Sequence, residues 1–269
     1  MPTGPLDGRA RNAVLNEKDL ERIRHQRETF HRRLRQLGTD PLPLGATDTA
    51  YALADIHLQL CPPSLEEYPR SDQPKDLRYT GGLPRRETAS GASAELPSWW
   101  DDVAVNPRRK RIVAVSQGTI AIMPSLLITP TMEGLADLDD VLVVVGLGKN
   151  GAVLPPDVVV QASARVADWI PFDEPLSYYD VFVSNGGYGS FQNAVARGVP
   201  VVVARLRWPG VGIDLGVGNT MPETVIAAVE EIFGEKRYLE RVLEIKKKIE
   251  TFDPMAVIVH AIADLAART

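Results

Sequence analysis

Between residues 111 and 203 the chain carries five short runs of β-branched, apolar residues, at 112–115, 141–145, 158–160, 181–183 and 199–203. Each is separated from the next by a segment able to hold a helix or a loop. The runs are continuous rather than alternating, so each strand must be covered on both faces. Strands of that kind, alternating with helices, predict an α/β fold: a Rossmann-like, doubly wound parallel sheet. Helices are predicted at 124–137, 222–233, 236–250 and 253–267, the last from Ala256, Val259, His260 and Ala263 at helical spacing.

Such a sheet binds ligands off the carboxyl ends of its strands, where successive connections diverge. Two glycine turns fall at strand ends. One is Ser116, Gln117, Gly118 and Thr119; the other is Asn185, Gly186, Gly187, Tyr188, Gly189 and Ser190. Behind the second turn Phe191, Ala194 and Val195 share one helical face, and Gly198 stands where a helix stops. Free N–H groups and the positive end of that helix would face an anion above the turn, a diphosphate being the obvious occupant. A plain tight corner is the competing reading of the glycines alone. Trp169 follows another strand-like segment; it is either core or an aromatic face for a nucleobase.

The remaining composition excludes several classes. A net charge of −5 and a pI near 5.5 leave no electrostatic footprint for nucleic acid, and no apolar run has the length of a membrane span. The single cysteine, Cys61, rules out an internal disulfide, and the N-terminus lacks a signal-peptide core, so a cytoplasmic location is expected. Residues 1–40 read as a basic, solvated helix with interleaved Glu21 and Glu28. A helix passing into a strand is expected over 48–62, then an extended, turn-rich connector and a mobile loop over 85–98. His25, His31, His57 and His260 stand in no set with metal-ligand or catalytic spacing, so no metal site and no catalytic residue is assigned.

Taken together, Trp169-Ile170-Pro171, the turn from Asn185 to Ser190, Gly198-Val199-Pro200 and Gly210-Val211-Gly212-Ile213-Asp214-Leu215 resemble the C-terminal half of UDP-sugar-dependent glycosyltransferases of the GT-B fold, the sterol and macrolide glycosyltransferase relatives included. Ser116 to Thr119, Glu67-Tyr68-Pro69-Arg70 and Leu96-Pro97-Ser98-Trp99-Trp100 extend the likeness to residues 45–269. It implies a nucleotide-sugar-binding domain over 91–269, preceded over 1–90 by a helical remnant and connector of an acceptor domain, with the boundary between residues 79 and 97. On matching positions, Trp169 would stack on uracil and the backbone of Ile170 would meet its edge. Gly187, Gly189 and Ser190 would hold the diphosphate, and Gln117, Gly118 and Thr119 would line the opposite wall, with Gly186 and Tyr188 completing the turn.

Two departures accompany the likeness. Asn185 stands where the family usually has a histidine, so it can donate a hydrogen bond but adds no charge. Arg205 to Pro209 bridges a gap in which relatives carry further residues with acidic or amide side chains for the donor sugar. The implied function is binding of a UDP-sugar for hexosyl transfer to a hydroxyl of a small or lipidic acceptor, with no cofactor beyond the donor. Because residues 1–44 offer only one helix, the single chain is expected to be incomplete, either as a truncated sequence or as a half-enzyme whose first domain a partner chain could supply. A non-catalytic nucleotide-sugar-binding or protein-interaction module is the alternative. A nicotinamide-dependent oxidoreductase is disfavoured, since Val145-Gly146-Leu147-Gly148 lacks the third glycine of that fingerprint.

Overall fold

The computed structural model describes residues 17–18, 20–42, 44–65, 73–82, 96–119, 123–171, 175–203, 210–216 and 220–268. It divides into two compact units, one taking in the chain up to Thr80 together with Asp253–Thr269, the other Gly81–Phe252. The sequence assigns the final helix to the second domain; by compactness it groups with the N-terminal segment instead.

In the first unit helix α1 (Arg24–Gln36) buries no residue fully and places Arg33 and Arg35 in its last turn, where they face the negative end of the helix dipole. Helix α2 (Ala46–Ala52) leads into strand β1 (His57–Gln59), which pairs in parallel with β2 (Leu77–Tyr79). The connector expected to be extended and turn-rich therefore contains a strand. His57 Nε2 donates to the carbonyl of Tyr51 at 2.8 Å, and the imidazole packs on the Tyr51 ring, so it is held in local structure. Arg78 pairs with Asp264 at 2.8 Å and Arg268 with Asp76 at 2.6 Å, tying the final helix to β2. Residues 66–72, with the Glu67 to Arg70 motif, lie outside the described residues.

The second unit begins with helix α3 (Asp101–Ala104) and strand β3 (Arg111–Ser116). The helix predicted over 124–137 is a 3-10 turn, Pro124–Leu126, followed by α4 (Ile128–Gly134). Pro130 sits in the first turn of α4, where its missing N–H costs no helical bond. Then come β4 (Val141–Gly146), β5 (Ala164–Ala167), β6 (Val181–Ser184), α5 (Tyr188–Arg197), β7 (Val201–Val203), β8 (Gly212–Asp214), α6 (Pro222–Gly234) and α7 (Lys236–Ile249). Helix α8 (Pro254–Ala266), N-capped by the Asp253 side chain on Ala256 N at 2.9 Å, belongs to the first unit.

The six strands of the second unit form one sheet in the order β5-β4-β3-β6-β7-β8, with every neighbouring pair parallel. Val113, Val115, Val143, Val145, Val181, Val183 and Val202 point to one face and pack with Leu127, Met132, Val225, Val229 and Ile232 of the α4 and α6 side. The alternate residues Ile112, Ala114, Leu142, Val144 and Phe182 are buried too. This double coverage is what the continuous apolar runs demand.

Two expectations fail at the sheet margins. Residues 158–160 form no strand: Val159 is 75% exposed, and the partner of β4 is Ala164–Ala167. The Val158 N–H is turned back onto the Pro155 carbonyl at 3.0 Å, so this run begins inside a turn rather than on the ladder. The true edge strand is fastened by polar contacts: Trp99 Nε1 donates to the Val166 carbonyl at 3.1 Å, and Arg165 pairs with Asp102 at 2.6 Å. At the opposite margin, β8 was not foreseen.

Candidate functional site

The ladder registers align the strand ends. Ala167, Gly146, Ser116, Ser184, Val203 and Asp214 are successive partners across the sheet. From β3 the chain moves outward through β4 to β5, then returns to β6 beside β3 and moves outward the other way. Connections therefore diverge between β3 and β6, the place where a crevice opens in a doubly wound sheet. Both glycine turns stand there, because one follows Ser116 and the other follows Ser184.

The two turns are joined directly. Asn185 Nδ2 donates to the Gln117 carbonyl at 2.9 Å. Within the first turn the Gly118 N–H donates to Ser116 Oγ at 3.3 Å, and Thr119 is exposed at the rim. The Gln117 side chain is only 3% exposed, and neither its amide oxygen nor its nitrogen has a hydrogen-bond partner. Buried amides are rarely left so.

The second turn is organised by hydroxyls. Ser184 Oγ accepts from the Gly186 N–H at 3.2 Å and lies 3.1 Å from Ser190 Oγ, which itself donates to the Gly187 carbonyl at 2.8 Å. Gly187 is the N-cap of α5 and provides no side-chain cap, and Tyr188 is the first helical residue; Ser190 is the third, so it stands inside the first turn rather than at the cap. The helix is firm behind this end. Phe191, Ala194 and Val195 are buried, and Gly198 at φ +80° closes the C-terminus, its N–H meeting the Val195 carbonyl while the Val199 N–H meets that of Ala194. What remains is an N-terminal turn whose positive end is open to an anion.

A pocket runs from the first turn towards the end of β5, lined by Ser116, Gly118, Thr119, Gly148, Trp169 and Ile170 among others. Trp169 is 39% exposed, which decides between its two readings: the ring lines the pocket and is not core. Ile170 packs 3.8 Å from the position a Cβ of Gly146 would take. Tyr179, buried in the same pocket, has its phenol pushed above its usual range by desolvation, so it is uncharged at neutral pH. Beyond the predicted residues, the structure adds Ser184 as the organiser of the second turn, Gly148 as a close-packed floor, and Asp168. Asp168 could have been suspected, since an Asp at a strand end habitually bonds nearby backbone. Gly148 stood out in the chain only as part of an incomplete dinucleotide fingerprint, which says nothing of its packing role. Arg205 to Pro209 lies outside the described residues.

No family model matches the chain. It is 37% identical over 247 residues to UDP-glucosyltransferase B1 of Starmerella bombicola, covering 87% of this chain and 56% of that protein. With UDP-glucosyltransferase 1 of Beauveria bassiana the identity is 39% over 241 residues, covering 86% and 50%. The chain is a relative of the UDP-glycosyltransferases. It spans about half the length of the curated relatives it matches. Among solved structures, a spinosyn rhamnosyltransferase complexed with thymidine diphosphate superposes with a TM-score of 0.61 at 20% identity, over 86% of this chain and 60% of that one. The likeness places the α/β architecture with the GT-B glycosyltransferases. Among the described residues no helix is long and apolar enough to cross a membrane, and no group of three His, Cys, Asp or Glu could hold a metal ion.

Proposed function

We propose that the second unit binds the donor of a glycosyl transfer, a UDP-sugar, in the crevice between the turns after β3 and β6. The observation that carries this reading is the unfilled space at the start of α5. A Cβ on Gly189 would meet nothing within 4 Å, and one on Gly187 would meet only Ser190 Oγ at 3.5 Å and Asn185 Oδ1 at 3.7 Å. Neither residue has the left-handed backbone that would require glycine. Their lack of side chain serves no contact within the protein, and it leaves the backbone approachable by a ligand.

In this reading the diphosphate rests on the N-terminal turn of α5, with Gly186, Gly187, Gly189 and Ser190 around it and Asn185 as a neutral neighbour. Gln117, Gly118 and Thr119 form the facing wall. The Trp169 ring takes the uracil face, and the backbone of Ile170 its edge. The curated relatives named as UDP-glucosyltransferases support uridine and a hexose. Chemically, the helix end stabilises the negative charge that develops on the departing diphosphate. Transfer to a hydroxyl of a small or lipidic acceptor further requires a base to take the acceptor proton. None of the described residues lining the pocket is a carboxylate or an imidazole, so none of them is assigned that step.

Calorimetric titration with UDP and UDP-glucose tests the reading, comparing the parent with Ser190→Trp, which fills the cradle. Saturable binding by the parent and its loss in the variant are expected. Absence of heat at millimolar UDP, or equal affinities, would overturn it.

A further inference from the structure

We propose that Asp168 is a positioning residue for the Trp169 ring, acting by locking together the two loops that follow β4 and β5. The inference rests on the donor-site reading above. Asp168 Oδ2 accepts from the Gly151 N–H at 2.6 Å, and Oδ1 accepts from the Trp169 N–H at 2.8 Å. Its own carbonyl accepts from the Lys149 N–H at 3.0 Å, and the preceding carbonyl, Ala167, accepts from the Leu147 N–H at 3.0 Å. One residue thus gathers three backbone N–H groups from two separate loops, two of them on an ionised side chain. Hydrogen bonds to a charged acceptor are roughly twice as strong as neutral ones. Those two bonds hold the carboxyl below its usual range, the bond from Gly151 contributing most and that from Trp169 next.

The reason this matters for a ligand lies in what else restrains the ring. Trp169 is partly exposed, and among the described residues no aromatic ring or cation stacks on it. Its direction is therefore set largely by its backbone, and the backbone at that point is fixed by the carboxylate next to it. A stacking surface that must be ordered on binding contributes less than one ordered beforehand. Removing Asp168 would leave the ring present and free to wander.

The test is a double-mutant cycle in UDP affinity on the whole chain, using Asp168→Ala, Trp169→Ala and the double variant, with Asp168→Asn as the conservative change. Asp168→Ala is expected to weaken UDP binding on the order of tenfold when Trp169 is present and to have no effect when it is absent. Asp168→Asn, which keeps one acceptor oxygen, falls between. Amide hydrogen exchange at Gly151 and Trp169 should quicken in Asp168→Ala without ligand, while the rest of the sheet keeps its protection. Parent-like affinity in Asp168→Ala, an equal loss in the Trp169→Ala background, or unchanged exchange at both amides overturns the positioning role. A parent that fails to bind UDP overturns the donor-site reading itself, and this role with it.

Discussion

The two walls of the crevice use glycine for opposite reasons. On the β3–β4 side Gly148 has φ +80°, and a Cβ there would stand 2.2 Å from the Gly118 carbonyl oxygen, inside any permitted contact. The fold itself needs that glycine, because two backbones pass where a side chain would be. On the β6 side Gly187 and Gly189 have neither a left-handed backbone nor a close protein neighbour. One wall is filled by the protein, and the other is left for something else. A glycine therefore says little until its surroundings are known.

The comparison is broken most severely at Gly148. Gly148→Ala combines a backbone clash with an unfavourable φ and is expected to cost about 3 kcal/mol or more, read as a lowered midpoint in urea or thermal unfolding. Near-parent stability would mean the two loops are not packed as described. Trp169→Ala should leave the unfolding midpoint in place and lower UDP affinity by about 1–3 kcal/mol, the range of one stacked base. Gly189→Ala is the sharpest contrast with Gly148→Ala. As a helical position with open space it should gain about 0.5–1 kcal/mol of stability from better helix propensity, yet lose UDP affinity on the order of tenfold as the methyl group occupies the approach. Stability gained without loss of affinity would show that nothing rests there.

A smaller effect is expected at Asn185. Asn185→His would surrender the bond to Gln117 but introduce a group that titrates near pH 6.5, so UDP affinity should rise by roughly 0.5–1 kcal/mol below that pH, where the ring is cationic, and show no gain well above it. A calorimetric series from pH 5.5 to about 8 checks the sign. Least of all is expected of Val159→Ser. With the side chain in solvent, stability should move by no more than about 0.5 kcal/mol; a loss of several times that would restore residues 158–160 to the sheet.

The readable parts of the chain are those where one short stretch answers to one physical demand. The runs around Val113, Val143 and Val183 must be covered on both faces, and α5 declares itself through Phe191, Ala194, Val195 and its closing Gly198. The margins of the sheet were not legible in the same way. An edge strand is covered on one side only, so Ala164-Arg165-Val166-Ala167 carries a weaker apolar signature than the three valines at 158–160 that precede it. What selects it is the ladder to β4 and the grip of Trp99 and Asp102, residues more than 60 positions away. In the site, the glycine turns, Trp169 and Ser190 were legible as types. The bonds from Asn185 to Gln117 and from Ser184 to its turn were not.

By itself, then, the order of residues determined the parallel α/β class, the placing of both glycine turns at strand ends, and a residue set resembling that of nucleotide-sugar glycosyltransferases. Each of these follows from local periodicity, backbone freedom or motif. Only the tertiary structure decided that the turns meet, since strand order is set by pairing between segments far apart in sequence. It also decided that the Trp169 ring is accessible and that Asp168 bridges two loops. Packing alone separated the glycines the fold requires from those it leaves open.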